Sequence, residues 1–369
     1  MKNKIFKVKD SVDLFLSDEK YIMAYYMNSR RRKSFRVNKE MIYLIELLDG
    51  KKSVGEIESI MKKNYDVDSK SVESVIKNLN DNRIITEIYF DNTILAFEEQ
   101  NRYSRQINYF TEFLGGEREG IIAQKKVMDS HIIIFGCGAI GGGIAIELAM
   151  AGVNSFTLYD FDIVEKSDIS RHIYYHEEYI GMPKVEALKR VILSINPNCN
   201  IICMNFSMKP SDNIEKVVSS GDFIVNTLDE PYIGYTSSKI SRICIKYNLP
   251  HYIAGGFDAH LASTGEIIIP FVTPCVECYS GYFKIKLKGW KPNKHPVKTR
   301  YKEIGGLASM SLFSVSYAVI EILKYITGII NIREEYKIRG ELLFQNLSIT
   351  YLNVNKNPKC PICGEGSLL

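Results

Sequence analysis

The chain has 369 residues, 46% apolar and 24% charged, which suits a globular protein of two domains or of one large domain with an appendage. A net charge of +4, from 47 basic and 43 acidic side chains, is too balanced to argue for a nucleic-acid partner. Residues 1–10 have no apolar core and so do not read as a signal peptide, and the apolar run 307–330 carries Glu321 and Lys324, which makes it a buried helix and predicts no membrane partner.

Residues 1–90 read as a small α+β domain. Alternation in 13–16 and 21–26 predicts strands with one buried face. Asn38 is placed to cap a helix carrying Met41, Leu44, Ile45 and Leu48 on one side, stopped by Asp49-Gly50. Ser53 with Glu56 has capping-box spacing ahead of Ile57, Ile60 and Met61. Ser71 opens a third helix with Val72, Val75, Ile76 and Leu79, and 83–89 reads as a strand, giving the outline of a winged helix-turn-helix. Residues 91–120 read as a polar, aromatic-bearing connector.

Residues 121–369 read as an α/β domain. Strand 131–135, glycine turn 136–143, helix 144–151 and strand 155–159 make a βαβ unit, the element of a Rossmann-like, mostly parallel sheet. Further strands fit 200–203, 222–226 and 251–254. The Lys- and Pro-rich stretch 290–300 has no periodicity and reads as an exposed, mobile loop.

Gly136, Gly138 and Gly141 form a GxGxxG turn between a strand and a helix, the setting in which glycines let phosphate approach a helix N-terminus. Asp160 ends the next strand, where an acid can accept ribose hydroxyls. These two features do not say which nucleotide is bound, and dehydrogenases share them. Arg171 and Lys184 follow, a fork and a point charge suited to polyphosphate rather than to a dinucleotide. Asp229, beyond a strand ending in Asn226, stands where it can help hold Mg²⁺ on a triphosphate. Read blandly, the same residues are surface ion pairs and a helix cap.

Eight cysteines do not form a disulfide framework, and a reducing cytoplasm is expected. Cys275, Cys278, Cys360 and Cys363 make two CxxC pairs, the local spacing of a closed, structural Zn²⁺ site, with redox dithiols as the rival. Cys137, Cys199, Cys203 and Cys244 read as core or surface residues rather than nucleophiles. His172, His176, His251 and His260 show no paired spacing and read as structural or solvated.

The series Arg102-Tyr-Ser-Arg105-Gln106, GxGxxG, Asp160-Phe-Asp162, Arg171, Gly181-Met-Pro-Lys184 and Asp229 resembles the ThiF/MoeB adenylating family, relatives of ubiquitin-activating enzymes. The resemblance runs from residue 101 to the C-terminus and includes the paired CxxC motifs. It implies that the glycine loop, Asp160, Asp162 and Asp168 bind ATP, with Asp160 on the ribose. It also implies that Arg171 and Lys184 hold phosphates, Asp229 holds the metal, and Arg105 reaches into a partner subunit's ATP site, hence a homodimer. One position departs: the family usually has Asn where this chain has Asp168. A carboxylate beside triphosphate is repulsive unless metal-bound or protonated, so its role is left open.

The front domain resembles PqqD-like elements that bind leader peptides, and with the adenylating domain it is similar to the peptide adenylyltransferases of the family. That implies a ribosomal precursor peptide as partner, docked on an exposed strand edge, with the 21–26 strand and 71–79 helix as the expected groove. Activation of the C-terminal carboxylate is the outcome implied first. Cyclisation through an adenylated side chain, or adenylation of a sulfur-carrier protein, are the alternatives. Arg30-Arg-Arg-Lys33 also fits a DNA-binding winged helix, although a charge run is usually a solvated face.

Overall fold

The computed structural model describes residues 1–17, 20–89, 92–230, 233–258, 261–286, 288, 305–331, 339–352 and 354–364. His260 and the 290–300 stretch lie outside them. The chain divides into two compact units, Met1–Gln124 and Lys125–Leu369.

The first unit opens with β1 (Ile5–Val8), β2 (Val12–Ser17), β3 (Tyr21–Tyr26) and β4 (Arg31–Arg36). It continues through α1 (Lys39–Leu47), β5 (Asp49–Ser53), α2 (Val54–Tyr65), α3 (Ser69–Asp81) and β6 (Ile85–Glu87). Strands β2, β3 and β4 form an antiparallel meander, and β5, β1 and β6 a second small sheet. Asn38 caps α1 by accepting from Met41 N at 2.9 Å, and Ser53 and Glu56 complete both halves of a capping box on α2. The third helix starts earlier than Ser71: Asp68 is the cap, its carboxylate taking the Ser71 N–H, so α3 begins at Ser69. Asp and Ser cap about equally well, so the sequence alone does not choose between Asp68 and Ser71. Leu44, Ile57, Met61, Val72, Ile76, Leu79 and Ile84 interlock as the core of these helices.

Strand β3 is the middle strand of its sheet, paired with β2 along Tyr21–Tyr26 and with β4 along the same residues. Its backbone groups are used on both sides, so it cannot accept a further strand as the alternation alone suggested. Among the described residues the outer edges of this sheet are β2 and β4, and Arg31, Arg32 and Lys33 are exposed on β4. Residues beyond Ala96, read from sequence as part of a connector, form α4 (Phe97–Arg102), α5 (Ser104–Leu114) and the start of α6 (Glu117–Asp129).

The second unit is built on β7 (His131–Phe135), α7 (Ala139–Met150), β8 (Ser155–Tyr159), α8 (Lys184–Ile195), β9 (Asn200–Met204), α9 (Glu215–Val218), β10 (Phe223–Asn226), α10 (Ile233–Lys246) and β11 (His251–Ile253). Then follow β12 (Phe257–Asp258), β13 (Leu261–Ser263), β14 (Glu266–Ile268), α11 (Val276–Lys286), α12 (Ala308–Thr327), β15 (Gly340–Leu343) and β16 (Ile349–Tyr351). The main sheet has the order β14-β11-β10-β7-β8-β9, parallel except for β14. Helices cover a parallel sheet on both faces, so its strands are apolar throughout, and Ile132, Ile133, Ile134 and Phe135 are all fully buried. Strands β12, β13, β15 and β16 form a separate antiparallel sheet.

Helix α7 begins at Ala139 rather than at residue 144, with Gly142 N donating to Gly138 O at 2.9 Å. A glycine-rich first turn looks like a loop in sequence, but here tertiary packing holds it helical: a Cβ on Gly143 would stand 2.7 Å from Val315 on α12. Among the described helices, α12 has the length and composition to cross a membrane, yet half of that window is buried in the unit and it packs on α7.

Candidate active site

The carboxyl ends of β7, β8 and β10 meet in register, Phe135 opposite Tyr159 and Asn226, and the chain leaving each carries a predicted site residue. Ligands bind at this edge of open parallel sheets. After β7 the chain turns at Gly136, whose φ of +95° favours glycine, and a Cβ there would overlap the Thr227 hydroxyl. A Cβ on Gly141 would overlap the Gly136 carbonyl oxygen, so both glycines are required by the fold itself. Gly138 differs: a Cβ there meets nothing within 4 Å, and the space over it is open.

After β8, Asp160 turns inward. Its Oδ2 accepts from Cys137 N at 2.6 Å and its Oδ1 from Asp162 N at 2.8 Å. Burial raises its pKa above the ordinary carboxylate value, against the pull of those two N–H groups. Asp162 is half exposed and lies 3.0 Å from Lys184 Nζ at the head of α8. Lys184 also faces Asp168 at 3.8 Å. Burial acts to lower the Lys184 pKa, but Asp168 and Asp162 outweigh it and hold the ammonium charged.

Asp168 is almost fully buried in a 3-10 turn (Lys166–Ser170). It accepts from Glu165 N at 2.9 Å and from the Arg171 guanidinium at 3.1 Å. Burial acts to raise its pKa, yet the Glu165 N–H, Lys184, His172 and Arg171 together bring it below the usual value. It is therefore an ionised carboxylate neutralised by its own neighbours. His172 stacks behind this turn with Nδ1 2.7 Å from Asp168 O, and burial lowers its pKa to about 4. His251 is likewise buried, between Leu249 O and Ser241, and its pKa is also lowered to about 4 by burial.

The structure thus brings together Gly136, Gly138, Gly141, Asp160, Asp162, Asp168, Arg171 and Lys184 through the contacts above. Asp229 stands exposed just past the end of β10, and Arg105 is exposed on α5 of the first unit. Sequence reasoning missed Tyr174 and Tyr175, whose hydroxyls reach the carbonyls of Gly138 and Cys137 at 2.6 and 3.0 Å. The available signal was an aromatic pair just downstream of Arg171, which carries no periodicity or motif.

The two CxxC pairs meet. Sγ distances are 3.9 Å for Cys275–Cys278 and 3.6 Å for both Cys275–Cys360 and Cys278–Cys363, and all four sulfurs lie within 4.8 Å of one another. A tetrahedron of Zn–S bonds of about 2.3 Å has edges of about 3.8 Å, so four buried sulfurs at this spacing fit Zn²⁺ as a closed site. Hydrogen bonds from Cys275 and Cys363 pull the Cys278 thiol far below its ordinary value. Elsewhere burial raises the thiols: Cys203 to about 11, and Cys137 and Cys244 upward as well. None of these three is a thiolate at neutral pH.

Residues 103–363 match the ThiF family. The chain belongs to the ThiF family. ThiF proteins are ATP-dependent adenylyltransferases. HesA from vegetative cells of Trichormus variabilis is 27% identical over 74% of this ThiF chain and 92% of its own. UBA4 of Candida glabrata, an adenylyltransferase and sulfurtransferase, is 26% identical over 76% of this chain and 60% of its own. The crystal structure of Escherichia coli MccB with AMPCPP and MccA superposes with a TM-score of 0.71 at 19% identity, over 97% of this chain and 99% of that one. Its fold therefore matches across both units of this ThiF protein.

Proposed function

We propose that this protein adenylates a carboxylate of a ribosomally made precursor peptide, in the biosynthesis of a modified peptide or peptide-nucleotide antibiotic. The observation that carries the reading is that the likeness to MccB, solved with its MccA precursor peptide, spans the first unit as well, whereas the ThiF match begins only at residue 103. A fused second fold supplies a reason for a peptide substrate that the adenylating fold alone does not.

In this reading the open space over Gly138 admits the phosphates, and Lys184 and Arg171 meet their charge. Asp160 already accepts from the Cys137 and Asp162 amides, so the half-exposed Asp162 faces the ribose. Asp229 suits Mg²⁺, which keeps several waters and needs few protein carboxylates. The peptide carboxylate attacks the α-phosphorus of ATP, the bond to the bridging oxygen breaks, and pyrophosphate leaves with that electron pair. Arg105 would complete the site of a partner subunit in a homodimer. Zinc on Cys275, Cys278, Cys360 and Cys363 would be structural, tying the C-terminal segment to α11. The first unit is read as a winged-helix-like peptide domain. Its docking edge is moved from β3 to β4, which is free, exposed and basic and whose Lys33 contacts Asn82 at the end of α3.

The test is pyrophosphate release with Mg·ATP and the short peptide encoded beside the gene, followed by mass spectrometry. An added nucleotide supports terminal adenylation, and loss of water supports cyclisation. K184A and D229A should both abolish release; normal turnover in either would sink the site assignment. Release with a folded carrier ending in Gly-Gly, and none with peptide, would favour the sulfur-carrier reading suggested by UBA4.

A further inference from the structure

We infer that Tyr174 and Tyr175 are positioning residues that aim the Gly138 and Ala139 amides of the glycine loop at the nucleotide phosphates. The inference rests on the reading of this loop as the ATP site.

A peptide unit is planar and trans, so its N–H points opposite to its carbonyl. The Tyr175 hydroxyl lies 3.0 Å from the Cys137 carbonyl oxygen, which turns the Gly138 N–H away from that phenol. The Tyr174 hydroxyl donates to Gly138 O at 2.6 Å, beside the first helical bond of α7, and so turns the Ala139 N–H away. Asp160 takes the Cys137 N–H at 2.6 Å. Three successive peptide units are thereby oriented from the protein side, and the side over Gly138 is open.

The phenols are built for this. Tyr174 is 3% and Tyr175 2% exposed, their rings meet edge to face at 4.6 Å, and His172 packs on both. Burial raises both hydroxyls well above the ordinary tyrosine value, so each acts as a donor. Tyr175 also lies 3.1 Å from the Lys184 carbonyl, linking the loop to the residue that heads α8. Gly142, outside the GxGxxG motif, has its explanation here: a Cβ on it would overlap the Tyr174 hydroxyl.

Each hydroxyl can be removed alone, in Y175F and Y174F. Calorimetry on the full chain would compare Mg·ATP with adenosine, which has no phosphate to feel the amides. Y175F should weaken Mg·ATP by about tenfold while adenosine changes by less than about twofold. Equal weakening of both ligands, or of neither, would overturn the inference, because a merely structural tyrosine would not discriminate them. If the unaltered protein binds no ATP, it is the site reading that fails, independently of the tyrosines. Should Y175F fold poorly, Y174F carries the same comparison. G142A displaces the Tyr174 ring as well as its hydroxyl, so it should weaken Mg·ATP at least as much as Y174F, and adding Y174F should not rescue it.

Discussion

Lys184 and Asp168 stand 3.8 Å apart with side chains only 10% and 2% exposed, and the same ammonium is 3.0 Å from Asp162. The basic residue expected to meet phosphate is thus already neutralised within its own site. Family members usually carry Asn at position 168, which raises the question of what the extra charge does. It holds Lys184 charged and in place, and it competes with an incoming phosphate.

D168N should therefore bind Mg·ATP several-fold more tightly while folding somewhat less stably, by about 1 kcal/mol, since Asn keeps the Glu165 cap but loses the ion pairs. Calorimetry and thermal melting would check both. Weaker ATP binding would show instead that the carboxylate is needed to place the lysine.

Glycines of the loop should separate into two kinds. G141A forces a Cβ onto the Gly136 carbonyl, backbone against backbone, and should abolish ATP binding. G143A presses on the buried Val315 side chain at 2.7 Å rather than on backbone, and should cost about 1–3 kcal/mol of stability with the KM for ATP unchanged. Denaturation and steady-state kinetics on the two variants would show the split, and a raised KM in G143A would contradict it.

Acid should weaken the fold through histidine. His172 and His251 titrate near 4 when folded, against an ordinary value of 6.5, so the unfolded chain binds more protons between those limits. Their contribution is complete above about pH 6.5 and is lost as the pH falls toward 4, by at most about 1.4 kcal/mol per histidine per pH unit. H251Q should flatten the urea-midpoint profile in that window. An unchanged slope would mean that His251 is not held neutral.

Zinc should copurify at about one ion per chain if four thiolates close the site. C275S or C363S should lose the metal and lower the Tm of the second unit by at least roughly 6 °C, the shift for about 3 kcal/mol in a unit of this size. Metal analysis and calorimetry would test it. Full zinc content in either variant would refute the four-cysteine site.

Much of the site was legible because its signals are local. GxGxxG after an apolar strand, Asp160 at the end of the next, and paired CxxC motifs each depend on a few adjacent residues whose backbone needs no distant partner. The start of α7 was misplaced because three consecutive glycines lower helix propensity, and residues far along the chain, Tyr174, Thr227 and Val315, pack against that turn. Strand β3 was recognised as a strand, but whether its edge was free depended on β4, a mostly basic run with Phe35 as its one apolar residue and so without alternation. Helices α4 and α5 hid in a segment whose polar residues match the solvated faces of short helices.

By itself the sequence determined the α/β class, the order of glycine loop, acids and bases along the chain, and the four cysteines that can share a metal. Each follows from chemistry confined to a few neighbouring residues. Tertiary structure decided the rest: that Asp160 holds the Cys137 amide of the loop, that Asp168 shields Lys184, and that two tyrosines turn the loop's carbonyls inward. Those depend on distances between residues well separated along the chain, such as Cys137 to Asp160, Asp168 to Lys184 and Tyr175 to Cys137. Folding sets such distances by packing, and no residue type or spacing in the chain specifies them beforehand.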